Sequence, residues 1–253
     1  MEILHQEHLD FLLGGAYAFA WYTGIERNTK DLDLFIRRAD YPRVEQVLNA
    51  AGHRTELTYP HWLAKSFHGD AFVDLIFNSG NGIAPVDSGW FGHAAEAQVL
   101  GVPVKIAPVE ETLCSKAFIM ERERYDGADI AHLLRAQAAG IDWERLLRRF
   151  GLHWRVLLAH LVQFGFIYPA ERSRIPTWLM DDLIDRLRQE TWQPPVASQV
   201  CAGTLLSREQ YLYDVEQLGY LDARLAPLGT MTLQDLAHWT RAIAGRTPPP
   251  SGE

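Results

Sequence analysis

Three aspartates stand where strands would carry them. Asp31-Leu32-Asp33-Leu34-Phe35-Ile36 alternates acid and apolar residues, and Asp74 sits in the middle of the apolar run Ala71-Phe72-Val73-Asp74-Leu75-Ile76-Phe77. Side chains alternate faces along a strand, so Asp31 and Asp33 point one way and Leu32 and Leu34 the other. Carboxylates held in apolar strands cost several kcal/mol unless they are paired or bound to a cation. If the Asp74 strand lies beside the other, three carboxylates converge. Hard oxygen donors with no cysteine nearby favour Mg²⁺ over zinc or copper. Two Mg²⁺ ions roughly 4 Å apart would clamp an in-line phosphoryl displacement.

A glycine pair precedes them. Phe11-Leu12-Leu13 reads as a strand running into Gly14-Gly15, and Ala16 to Tyr22 reads as a helix that stops at Gly24. Glycines let the backbone come close to a phosphate and adopt positive φ. The first amides of the helix then supply an anion site.

With Leu13-Gly14-Gly15, Asp31-Leu32-Asp33 and Val73-Asp74-Leu75 in this order, the sequence resembles the DNA polymerase beta-like nucleotidyltransferase superfamily. It looks most like the minimal and AbiEii-type toxin members, which carry a later Lys helix and a charged stretch ending in Asp-x-x-Asp. The stretch from Lys116 through Arg122 and Arg124 to Asp126-Gly127-Ala128-Asp129 is similar to that pattern, with Tyr125 where a basic residue is common. The resemblance covers roughly residues 8–138. It implies an α/β (α+β) fold, a mixed-sheet nucleotidyltransferase core followed by a helical C-terminal region.

The resemblance also implies roles. Gly14 and Gly15 would hold a triphosphate through backbone amides, with Thr29 or Lys30 touching phosphate or serving as plain loop. Asp31 and Asp33 would bind two Mg²⁺ ions. Asp74 would complete the second site and draw the proton from an acceptor hydroxyl. Lys116 would neutralise charge as pyrophosphate leaves. Asp126 and Asp129 would orient Lys116 or Arg122, or simply cap and pair. The reaction is transfer of an NMP from an NTP, with ATP among the candidates, to an acceptor. The alternative reading makes Asp31 a cap, Asp33 a solvent-facing strand residue and Asp74 a buried acid paired with Lys65 or an arginine.

These residues need a frame of alternating elements. Helices are expected near Glu7, over Tyr41–Ala51, and over Glu110 to about Gln137 as one helix or as two broken at Gly127. Strands are expected over Arg54–Thr58 and Val102–Ala107, the latter an edge strand because of Pro103. Residues 78–82 read as a loop. Beyond residue 141 the pattern turns helical, with helices around Trp154–Phe164, Trp178–Thr191, after a Ser207–Gln210 capping box, and over Thr232–Ala244. Pro194 to Gly203 reads as a loop. The expected organisation is a core over 1–140, a helical region over 141–245 and a disordered tail over 246–253.

Composition narrows the partners. The 253 residues are 47% hydrophobic and 22% charged, ordinary for a globular protein. No run of about 18 apolar residues suggests a membrane span, and the N-terminus has no signal-peptide pattern. Two distant cysteines, Cys114 and Cys201, fit a reducing cytoplasm and argue against a disulfide framework or a zinc site. A net charge of −8 argues against a processive polymerase. Arg145, Arg148, Arg149 and Arg155 read first as a solvated helix face and second as a contact to a tRNA end. The ten histidines are scattered. His5 with His8 and His153 with His160 could each share a helix face, and Tyr17, Trp21 and Tyr22 read as core before base-stacking groups. The acceptor is open: tRNA or protein in a toxin-like enzyme, with a cognate antitoxin as a possible partner, or a small molecule as in the antibiotic-modifying branch. A module that only binds nucleotide is the non-enzymatic alternative.

Overall fold

The computed structural model describes residues 1–194, 199–241 and 243. In chain order the elements are α1 (Glu2–Gln6), β1 (Leu12–Leu13), α2 (Gly15–Thr23), β2 (Leu32–Phe35), α3 (Tyr41–Ala50), β3 (Arg54–Tyr59), β4 (Leu63–His68), β5 (Ala71–Ile76), α4 (Ser88–Gly92), β6 (Ala95–Val99), β7 (Val102–Ile106), α5 (Val109–Ala117), α6 (Gly127–Gln137), α7 (Trp143–Phe150), α8 (Trp154–Ile167), α9 (Thr177–Trp192), β8 (Val200–Cys201), α10 (Leu212–Glu216), β9 (Leu221–Asp222) and α11 (Leu233–Arg241). The strand order is β3-β4-β5 in one part of the chain and β1-β7-β6 in another, and β8 and β9 form a separate pair. The fold is the mixed α/β arrangement expected. The expected tail over 246–253 and the end of the last helix at Ala244 lie outside the described residues.

The described residues divide into two compact units, one of residues 1–11, 34–87, 199–241 and 243, the other of residues 12–33 and 88–194. In the first, β3, β4 and β5 form an antiparallel meander, with Lys65 opposite Asp74 across β4 and β5. Gly69, at φ 58°, makes the tight turn between β4 and β5. Helix α3 buries Tyr41, Val44, Val47 and Leu48, the helical spacing the sequence displays. Ile36, just past β2, donates its amide to the Ile76 carbonyl at 2.9 Å.

In the second unit, β1 runs parallel to β7, with Leu13 opposite Ile106, and β6 is antiparallel to β7. Leu100 and Gly101 both have positive φ in the β6–β7 turn, the backbone of a tight hairpin. Strand β6 lies outside β7, so Pro103 is not on the sheet's edge strand. It is tolerated because β1 is only two residues long and meets β7 at Ile106, beyond the proline. Helices α5 to α9 pack around buried Leu113, Leu133, Leu146, Leu157, Phe164 and Leu183.

Several expectations are corrected. Residues 110–137 form two helices, and the break spans Phe118–Asp126 rather than falling at Gly127. Met120 and Tyr125 form a β-bridge across this break. Gly127 opens α6 because the Tyr125 ring lies on it: a Cβ there would fall 2.1 Å from Cζ. The Ser207 hydroxyl accepts from the amides of Glu209 and Gln210, but in a turn, and the five-residue α10 begins only at Leu212. His8, at φ 54°, lies beyond α1 and shares no helix face with His5. The helical stretch Trp143–Ile167 has the length and apolar content of a membrane span, which the sequence expectation excluded. A 3-10 turn at Gly151–His153 interrupts it, and Leu146, Phe150, Leu157, Leu161 and Phe164 are core residues.

Candidate active site

The second unit brings the glycine pair and the Asp-x-Asp motif together. The Gly14 amide donates to the Asp33 carbonyl at 2.9 Å, and α2 starts at Gly15 with φ 54°. A Cβ on Gly15 would lie 1.7 Å from Oδ2 of Asp33. The loop backbone and the carboxylate are therefore in direct contact, and only glycine fits. An acid at the first turn of a helix is also favoured by the helix dipole. Asp31 is oriented by its own loop: the Thr29 hydroxyl donates to Asp31 Oδ1 at 2.6 Å. Thr29 thus holds a candidate ligand oxygen, while Lys30 is exposed.

A second charged group surrounds Lys116. Its ammonium donates to Asp129 Oδ2 at 2.8 Å and to Asp126 Oδ2 at 3.1 Å. Arg124 pairs with both oxygens of Asp126, each at 3.0 Å. Arg27 reaches Asp129 Oδ1 at 2.6 Å. Burial pushes the Asp126 carboxyl up, but Arg124 and Lys116 outweigh it and hold the group below the ordinary carboxylate range. The hydrogen bond to Asp126 holds the Arg124 guanidinium above its usual value, and Asp33 contributes a smaller field. Asp126 and Asp129 thus both hold the Lys116 ammonium. Arg122 lies exposed on the bend. Arg27 was missed because its acid, Asp129, lies on a distant helix, and Arg124 was named in the charged stretch without a role although it stands two residues from Asp126, the acid it pairs with.

In the first unit, β5 carries Asp74, and Lys65 on β4 donates to its Oδ1 at 2.6 Å. The partner named in the alternative reading is therefore present. The pair is not fully buried, with side-chain exposures of 25% and 13%.

Of the arginines near residue 150, Arg148 and Arg155 are exposed as a solvated face would have them, whereas Arg145 is buried and Arg149 half-buried. Arg145 is buried and donates to Glu110 at 2.7 Å and to Glu111. Arg149 pairs with Glu111 at 2.8 Å, Arg148 with Glu144 at 3.6 Å, and Arg155 with Glu190. Tyr22 is core, its hydroxyl donating to the Ala107 carbonyl at 2.9 Å, whereas Trp21 is partly exposed. His160 is buried on the Ala117 carbonyl and His153 packs against Phe118, so neither is placed as a metal ligand. Cys114 is buried with its thiol pushed up to about 12, chiefly by burial, and it and Cys201 are unbridged.

No curated protein matches the chain. Among solved structures, the antibiotic-resistance factor ANT(2'')-Ia is similar at 19% identity over 63% of this chain and 91% of its own, with a TM-score of 0.43. The lincosamide antibiotic adenylyltransferase LnuA is similar at 16% identity over 52% and 90%, with a TM-score of 0.38. An antigenic nucleotidyltransferase-like protein from Paracoccidioides brasiliensis is similar at 16% identity over 68% and 87%, with a TM-score of 0.44. Residues 10–162 match a family described as uncharacterised nucleotidyltransferase. This match runs from before β1 to within α8 and takes in more than half of the chain, which therefore belongs to that nucleotidyltransferase family.

Proposed function

We propose that the protein transfers an NMP from an NTP to an acceptor hydroxyl, with Asp31, Asp33 and Asp74 holding two Mg²⁺ ions. The observation that carries this reading is the acid set itself. Asp33 lies against the glycine loop and Asp31 is aimed by Thr29, in the same unit that holds Lys116 between two carboxylates, and Asp74 is a part-buried acid on its own strand. The Ile36–Ile76 hydrogen bond ties the strand continuing from Asp33 to the strand of Asp74. The donor set is all oxygen and only partly buried, which suits Mg²⁺. When bound, such ions neutralise phosphate charge and lower the pKa of a coordinated hydroxyl.

The remaining work falls to the chain. Gly15 and the first residues of α2 present backbone amides to the triphosphate, while the Gly14 amide is held by the Asp33 carbonyl and fixes the loop on the acid strand. Thr29 fixes the Asp31 carboxylate, and Lys65 fixes that of Asp74. Asp74 accepts the proton of the attacking hydroxyl. Lys116 stabilises the charge that develops on the departing pyrophosphate.

Two observations favour a small molecule or a protein as acceptor over tRNA. The net charge is −8, and the arginines at 145, 148, 149 and 155, the one basic group singled out for RNA, are all in ion pairs. A phosphate backbone could grip Arg145 or Arg149 only by breaking their pairs with buried Glu110 and Glu111. The test is incubation with α-³²P-labelled NTPs and Mg²⁺ in the presence of bulk tRNA, a cell-protein fraction or a panel of hydroxylated antibiotics. Label on a small molecule or a protein is the expected result. Label on tRNA alone would overturn the acceptor preference but not the transfer reaction.

A further inference from the structure

Arg27 lies outside the three sequence motifs, yet it joins the parts of the second unit that surround them. Its guanidinium carbon lies 4.2 Å from the centre of the Phe19 ring, on the helix that begins at Gly15. Its Nη2 lies 2.6 Å from Asp129 Oδ1, on α6. Asp129 gives its other oxygen to Lys116, on α5. Four residues after Arg27 the chain reaches Asp31. One side chain therefore links the glycine-loop helix, the segment leading into the Asp-x-Asp strand and the carboxylate that holds Lys116.

The charges explain what this linkage does. Lys116 stands between two carboxylates, Asp126 and Asp129. Alone, these three groups carry a net charge of −1, which repels a triphosphate. Arg124 on Asp126 and Arg27 on Asp129 change the sum to +1. Arg27 also shares the Asp129 charge, so the carboxylate orients Lys116 without cancelling its field. An opposite charge weakens the hold of a carboxylate on a second cation in proportion to its proximity.

We propose that Arg27 is a positioning residue for NTP binding: through Asp129 it sets the orientation and effective charge of Lys116. This rests on the proposed nucleotidyl transfer. The Arg27 side chain is 43% exposed, and exposed ion pairs add little stability, so a role in folding alone predicts a different result.

The test is calorimetric titration of the full chain with an NTP, first without and then with Mg²⁺, beside thermal melting. Arg27→Ala is expected to weaken NTP binding about tenfold in both conditions, with melting unchanged, and Arg27→Lys is expected to recover most of the affinity. In an Asp129→Asn background, Arg27→Ala should cost much less, because its route to Lys116 is gone. Unchanged affinity in Arg27→Ala would overturn the inference and leave the proposed function standing. So would an equal loss in the Asp129→Asn background, which would mean that Arg27 acts directly. A wild type that binds no NTP would remove the proposed function and this inference together.

Discussion

Alanine at position 15 is expected to destabilise the protein by about 2–5 kcal/mol and to abolish NTP binding. Two costs combine. Gly15 has a φ of 54°, where an L side chain is strained. Its Cβ would also fall 1.7 Å from Asp33 Oδ2 and 2.7 Å from Asp33 Cγ. No rotamer of alanine relieves this contact, so either α2 moves out or the Asp33 carboxylate turns away. Either movement separates the glycine amides from the acid that would work with them. Urea denaturation measures the first effect and NTP titration of the folded fraction the second. Wild-type values for Gly15→Ala would show that the loop and Asp33 are not in contact in solution.

Arg145→Met is expected to cost about 3–5 kcal/mol, the largest stability effect of any arginine change in the second unit. Arg145 lies among Glu110 and Glu111, all three buried. Methionine fills similar space but leaves the carboxylates with much of their charge uncompensated, and a buried donor pair is harder to lose than an exposed one. Burial already raises the Glu111 carboxyl above its usual range against the pull of Arg145 and Arg149. Without Arg145 it rises further. A folded pKa above the unfolded one gives stability that is full below the unfolded value and lost as pH rises through the folded one. The deficit of Arg145→Met should therefore be smaller at pH 5 than at pH 8. Denaturation curves at the two pH values check this. A loss under 1 kcal/mol, independent of pH, would place Arg145 in solvent.

This arginine marks the limit of what the sequence makes legible. Asp31, Asp33, Gly14-Gly15, the Asp74 strand and α3 rest on local alternation or helical spacing, which neighbouring residues declare. Arg145 has the same local surroundings as the exposed Arg148. What distinguishes it is α5, whose first turn places Glu110 and Glu111 beside it from more than 30 residues away. Long-range pairing hid β4 and β6 too: Leu63–His68 mixes apolar, charged and polar residues, and Ala95–Val99 alternates residues too small to read as a core face. Lys65 was legible as a partner for Asp74, but not whether that pairing excluded a site. The break between α5 and α6 depends on Tyr125 folding back over Gly127, a contact with no sequence period.

The most direct test of the central claim is calorimetric titration of NTP into the wild type and into Asp31→Asn/Asp33→Asn, each with Mg²⁺ and with EDTA. The asparagines keep side-chain shape and remove the charge that a divalent ion needs. The account predicts tight binding by the wild type only in Mg²⁺, and loss of that metal-dependent gain in the double variant while its melting transition persists. NTP binding that is unaffected by Mg²⁺, or that survives the double substitution, would contradict it and return the three aspartates to structural roles.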